Sequence, residues 1–174
     1  MVYAIDVLRQ LKATDVETHL VVTAGAKQVL PTEVDETLHD LKELADVVHD
    51  DRDLGAAIAS GSFRHHGMVI VPCSAGTLAK VALGMTDNLV SRAAHVTLKE
   101  RRILLLVVRE APYSRPMLDN MLRAHDAGAT IIPASPGFYH RPESLDDAVG
   151  TITSRVLDLL SVAHQRSPRW KDDG

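Results

Sequence analysis

The chain is poor in several things that would each point to a function class. It has one cysteine, Cys73, so an internal disulfide is excluded, and no CxxC or paired-histidine spacing marks a metal site. Aromatic residues make up only 3% of the chain, with Trp170 the single tryptophan. The net charge is −4, which gives no electrostatic footing for nucleic-acid binding. No apolar run approaches the roughly 20 residues that a membrane helix requires. The opening Met1 to Asp6 lacks the basic stretch of a secretion signal, so a reducing, cytoplasmic setting is expected. The nine histidines are scattered, and His65-His66 reads as a polar loop.

What is present is the composition of one globular domain. The chain has 174 residues, 45% hydrophobic and 24% charged, enough to bury an ample core. Residues 1–163 read as the domain and 164–174 as a polar tail carrying Trp170.

Apolar runs rich in β-branched residues mark buried strands at Thr18 to Val22, Met68 to Val71, Ile103 to Val108 and Thr130 to Pro133. Pro72, which has no N–H to donate, is expected to end the second of these. Val47 to Asp53 reads as a loop or short strand. Helical spacing predicts helices over Val2 to Leu11, Ala26 to Leu30, part of Thr32 to Leu44, from Leu78 onward, Leu89 to Leu98, Met117 to Ala127 and Leu145 to Ala163. The last carries a Ser-x-x-Asp capping pattern at Ser144 and Asp147.

Strands alternating with helices predict an α/β fold, an open parallel sheet covered by helices on both faces. Such sheets bind ligands outside the carboxyl ends of their strands. Those ends carry Thr23, the stretch Ser74, Ala75, Gly76, Thr77, the pair Arg109-Glu110, and Ser135 to Tyr139. Hydroxyls beside the free N–H groups of a helix start would cradle a phosphate. The same residues would serve equally as an ordinary helix cap.

Six segments taken together carry a resemblance: Pro-Cys-Ser-x-x-Thr-Leu (72–78), Asn-Leu-x-x-Arg-Ala-Ala (88–94), Leu-Lys-Glu-Arg-Arg (98–102), Arg-Glu-Ala-Pro (109–112), Gly-Phe-Tyr-His-Arg-Pro (137–142) and Pro-Arg-Trp (168–170). Their order resembles the flavin prenyltransferases of the UbiX/Pad1 family, which includes the small subunits associated with phenolic-acid decarboxylases. The resemblance implies a Rossmann-like (flavodoxin-like) three-layer fold. It implies that a dimethylallyl group from dimethylallyl phosphate is joined to N5 and C6 of reduced FMN, and that the prenylated FMN passes to a UbiD-type decarboxylase.

Residue by residue, the resemblance implies FMN binding by Thr23, Ser74, Ala75, Gly76, Thr77 and Arg109. Glu110 would be the acid/base, because closing the C6 bond releases a proton. Arg92, Lys99, Tyr139 and Arg155 would hold the prenyl phosphate, stabilising the departing charge without a metal. Glu33 and Trp170 would also belong to the catalytic site, Trp170 offering a π-face to an allylic cation. Taken singly, Arg92, Lys99 and Arg155 are ordinary solvated helix charges, Arg109-Glu110 an ordinary ion pair, and Trp170 an ordinary anchor for the tail. A homo-oligomer, dodecameric in this family and with sites at subunit interfaces, is implied as well.

Two departures stand out. The family opens with a strand and a Gly-x-Ser-Gly-Ala loop that cradles FMN; this sequence begins just beyond them. That is expected of a start codon placed too late or of a shortened protein, and in the second case stability and flavin binding would suffer. His95 stands where the family has an acid. The alternative is therefore an FMN-binding module with impaired catalysis, or an accessory subunit of a phenolic-acid decarboxylase system. An FMN-dependent cysteine decarboxylase is disfavoured, since its Pro-Ala-Ser-Ala-Asn loop is missing: Pro133-Ala134-Ser135-Pro136 departs at the fourth residue.

Overall fold

A computed structural model describes residues 1–166. In chain order the elements are α1 (Val2–Lys12), β1 (His19–Val21), α2 (Ala24–Glu33), α3 (Leu38–Glu43), β2 (Val47–His49), β3 (Gly67–Cys73), α4 (Ala75–Leu83), α5 (Leu89–Lys99), β4 (Ile103–Val108), α6 (Arg115–Asp126), β5 (Thr130–Pro133) and α7 (Leu145–Leu159). Every strand pairing is parallel. This is the expected α/β arrangement.

Strand β4 organises the core because, among the described residues, it alone is paired on both sides, by β3 and β5. Its side chains alternate between two layers, as the period of two requires. Leu104, Leu106 and Val108 pack with Leu78 and Val81 of α4 and with Met117 and Ala124 of α6. Leu105 and Val107 point the other way, onto Tyr3, Val7 and Leu11 of α1 and Val156 and Leu157 of α7. Leu106 and Val107 are completely buried.

The sheet is not continuous. β1 and β2 form one pair and β3, β4 and β5 a separate trio. A cleft of about 680 Å³ lies between the two parts, lined on one side by Leu20 and Val21 and on the other by Val69, Ile70 and Val71. This corrects the expectation that the first two apolar runs are buried on both faces. All three residues of β1, and Met68, Val69 and Val71 of β3, are only half-buried, because one edge of each strand faces the cleft.

Pro72 does not end its strand. Pairing to β4 runs from Gly67 to Ile70 and resumes at Cys73, so that Val71 and Pro72 stand against Val107 alone. That is a bulge, one of the few places where a strand tolerates proline. Other differences are of extent: α7 stops at Leu159 rather than Ala163, and α2 starts at Ala24 and reaches Glu33. The capping box at Ser144 and Asp147 is present, with Ser144 Oγ accepting from Asp147 N at 3.0 Å.

The stretch set apart as a tail begins docked on the domain. His164 bonds Asp158 at 3.1 Å. Arg166 Nε donates to both carboxylate oxygens of buried Asp6 at 3.0 and 2.9 Å, and its Nη2 reaches the carbonyl and carboxylate of Asp146. The chain therefore turns back along α7 after Leu159 and returns to that helix's first turn.

Candidate functional site

The carboxyl ends of β1, β3, β4 and β5 form one rim, and the loops leaving them carry the residues picked out from the sequence. Thr23 caps α2, its Oγ1 accepting from Ala26 N at 3.1 Å. Ser74 caps α4, its Oγ accepting from Thr77 N at 3.2 Å and lying 3.1 Å from Thr77 Oγ1. The cap reading is thus correct as far as it goes. It leaves the first N–H groups of α4, those of Ala75 and Gly76, without intrahelical partners, at the positive end of the helix. Both capped turns open onto the cleft, which is lined by Thr23, Gly25, Ser74 and Thr77. A Cβ on Gly25 would meet nothing within 4 Å, and one on Gly76 only Ser74 Oγ at 4.0 Å, so a ligand can approach either backbone closely.

Arg109 follows β4 and also lines the cleft. It forms a salt bridge with Glu33, the last residue of α2, whose other oxygen holds the amino group of Met1. One carboxylate thereby ties α2, the first residue and the β4 exit together. Glu33 is three-quarters buried. Glu110, beside Arg109, is exposed, its Oε1 accepting from Ala111 N at 3.3 Å.

Cys73, at the end of β3, is fully buried, and burial pushes its thiol up to about 12. It is a packing residue and no nucleophile. The phenol of Tyr3 is also raised, by burial first and with the Arg109 charge opposing. Nothing in the spacing of the first helix singles out Tyr3; only the fold brings it under the influence of Arg109.

Tyr139 and Phe138 sit in the loop after β5, about two-thirds exposed. The loop is pinned to α7 by Gly137 N donating to Thr151 Oγ1 at 3.1 Å, and the Tyr139 ring packs on His140 at 4.5 Å. Within one chain the other cations lie elsewhere. Arg92 Nε donates to the carbonyl of Ala59 at 3.1 Å. Lys99 pairs with Glu100 at the end of α5. That end lies beside Gly61 and the Arg102 guanidinium, which bonds the carbonyls of Gly61 and Phe63. Phe63 in turn packs on His19, the first residue of β1, so Lys99 stands at the strand starts, opposite the rim. Arg155 is exposed on the third turn of α7. Trp170 lies outside the described residues.

The structure thus gathers Thr23, Ser74 to Thr77, Arg109, Glu33 and Glu110 at one rim, and does not gather Arg92, Lys99 and Arg155 with them. The link between Glu33 and Arg109 spans 76 positions and has no local signal in the sequence. Among the described residues no cluster could hold a metal ion, and no helix is long and apolar enough to cross a membrane.

The chain is similar to known flavoproteins in sequence and in fold. The Flavoprotein family profile matches residues 1–156. A protein of Deinococcus radiodurans called flavin prenyltransferase UbiX is 65% identical over 171 residues, 98% of this chain and 88% of that one. Among solved structures, AnUbiX (PadA1) in complex with FMN and dimethylallyl pyrophosphate superposes with a TM-score of 0.95 at 43% identity, over 97% of this chain and 90% of the other. A dodecameric FMN-dependent UbiX-like decarboxylase from Escherichia coli O157:H7 gives 0.94 at 42% identity, over 97% and 92%.

Proposed function

The chain belongs to the flavoprotein family, among its flavin prenyltransferases, and we propose that the rim of capped turns is where it performs that reaction. It is a transferase that joins a dimethylallyl group, taken from dimethylallyl phosphate, to N5 and C6 of reduced FMN. The alternative of an accessory module without turnover finds no support in the relatives, which are themselves flavin prenyltransferases.

The residues present fit FMN. Two helix starts, each with a hydroxyl cap and a glycine that leaves its backbone bare, face one cleft beside an arginine. The FMN phosphate would be held by the free N–H groups of Ala75 and Gly76 and the hydroxyls of Ser74 and Thr77, with Thr23 across the cleft. The planar Arg109 guanidinium would contact the flavin, held in place by its salt bridge to Glu33. Reduced FMN, when bound, supplies the electron-rich ring that accepts the prenyl group. The Glu110 carboxylate, exposed at the same rim, would take up the proton lost from C6 as the second bond forms.

Arg92, Lys99, Tyr139 and Arg155 hold the prenyl phosphate and offset the charge that develops as the allylic C–O bond breaks. Because one chain spreads these groups over opposite faces, their convergence requires neighbouring copies. The protein accordingly works as a homo-oligomer, a dodecamer like its E. coli O157:H7 relative, with Trp170 contributed from the tail that follows residues 1–163. A UbiD-type decarboxylase receives the product in the cytoplasm.

The observation that carries this reading is the meeting of two capped helix starts and Arg109 at one cleft. The experiment is anaerobic incubation with reduced FMN and dimethylallyl monophosphate, followed by mass analysis of the released flavin. A flavin heavier by one dimethylallyl group is expected. Unmodified flavin from protein that has bound FMN would overturn the assignment.

A further inference from the structure

Helix α6 carries a face that its own chain leaves uncovered. Met117 and Ala124 of this helix are buried against β4, while Leu118 and Leu122, one turn apart, are 47% and 59% exposed. Beside them runs a shallow groove lined by Met121, Leu122, His125, Thr130 and Ile131. It lies between α6 and the outer edge of β5, which among the described residues pairs only with β4. Next to the two leucines, Arg115, Asp119 and Arg123 follow one another at intervals of four, so that charge alternates along the row. Arg115 and Asp119 form an ion pair, which leaves Arg123 facing outward.

We propose that this face binds the same face of a second copy, α6 against α6, antiparallel about a two-fold axis near Asn120. The occupant follows from self-complementarity. A two-fold contact presents one patch to itself, so the patch must hold both the projections and the recess that receives them. Here Leu118 and Leu122 project directly beside the groove. Reversing the helix sets Leu118 against Leu122 of the second copy and brings Asp119 alongside the second copy's Arg123, twice over by symmetry. Two leucines a side bury too little for a dimer standing alone, which needs on the order of 800 Å² from each partner. The contact is therefore one of several in a closed assembly. It rests on the self-assembly stated above and is independent of flavin chemistry.

The test uses the full chain. Light scattering after gel filtration is expected to show an assembly whose mass falls at least twofold in Leu122→Glu, with the far-ultraviolet circular dichroism unchanged. Asp119→Arg is expected to lower the mass, and adding Arg123→Asp to restore it. Leu122→Cys, a mild change, should give a cross-linked dimer with a short bismaleimide, the buried Cys73 staying silent. If the native chain is a monomer, the self-assembly reading falls together with this one. If it assembles but Leu122→Glu keeps the full mass, or Leu122→Cys does not cross-link, only the α6 face is refuted. Should Leu122→Glu lose its helical signal, the cross-link decides: a dimer through Leu122→Cys supports the α6 contact, and its absence refutes it.

Discussion

Replacing Arg166 with methionine keeps the aliphatic stem and removes the charge from the contact that closes the described chain. Arg166 Nε meets both oxygens of Asp6 at 3.0 and 2.9 Å, and the two side chains are 13% and 10% exposed. Without the guanidinium, Asp6 becomes an unpaired carboxylate inside α1, beside the layer formed by Tyr3, Val7 and α7. Removing one member of a buried pair costs about 3–5 kcal/mol. The further contact to the Asp146 carboxylate, which is three-quarters exposed, adds little. A loss of about 3 kcal/mol in a domain of this size lowers the melting temperature by about 6–12 °C. Asp6→Asn combined with Arg166→Met should recover much of that, because no unpaired charge then remains. The assay is thermal unfolding of Arg166→Met, Asp6→Asn and the double variant at neutral pH, followed by circular dichroism. An Arg166→Met protein melting within about 2 °C of the native one would refute the reasoning, as would a double variant weaker than both singles.

Three further outcomes are expected. Ser74→Ala removes the cap from Thr77 N and a hydroxyl from the cleft; unfolding should show a loss of about 1 kcal/mol, and fluorescence titration a weaker hold on FMN. Glu110→Gln should lower the rate of flavin prenylation while leaving the FMN dissociation constant unchanged, which paired kinetic and binding measurements would separate. Acid should weaken the fold through His49, the last residue of β2, and His65, just before β3. His19 Nδ1 and His49 Nε2 lie 2.9 Å apart. His49 is lowered by burial and then by His19, and His65 by burial, with Gly67, Arg102 and His19 as smaller influences. Because the folded values lie below 6.5, the unfolded chain takes up protons first as pH falls past that point. Stability is full above it and declines toward the lowered values, so a urea midpoint that rises on acidification from pH 7 would contradict the placement.

The split sheet makes a prediction about motion as well. β4 is paired on both sides, whereas β1 and β3 each have one edge along the cleft. Amide hydrogen exchange should be slowest in Leu104 to Val107 and clearly faster in His19 to Val21, since exposed edges open more readily. Equal protection in the two strands would be inconsistent with the cleft.

Local information settled much of this protein. The uninterrupted run Ile103 to Val108 could only be a strand covered on both faces, and it is the centre of the sheet. The Ser-x-x-Asp pair at Ser144 and Asp147 marks a helix start because a cap and its reciprocal bond are made within four residues. The strand ends are readable for the same reason, and with them Thr23, Ser74 to Thr77 and Arg109 as neighbours on one rim. What the sequence could not decide was anything made by distant residues or by the sheet as a whole. Pro72 reads as a strand end and is not one, because a bulge is a property of two strands, and the opening between β1 and β3 is a matter of strand order. Glu33 clasping Arg109, and Arg166 clasping Asp6, join positions 76 and 160 apart. Only the packing of α1 and α7 on β4 brings such groups within reach, because a hydrogen bond acts over about 3 Å of space and leaves no trace in the spacing of the chain.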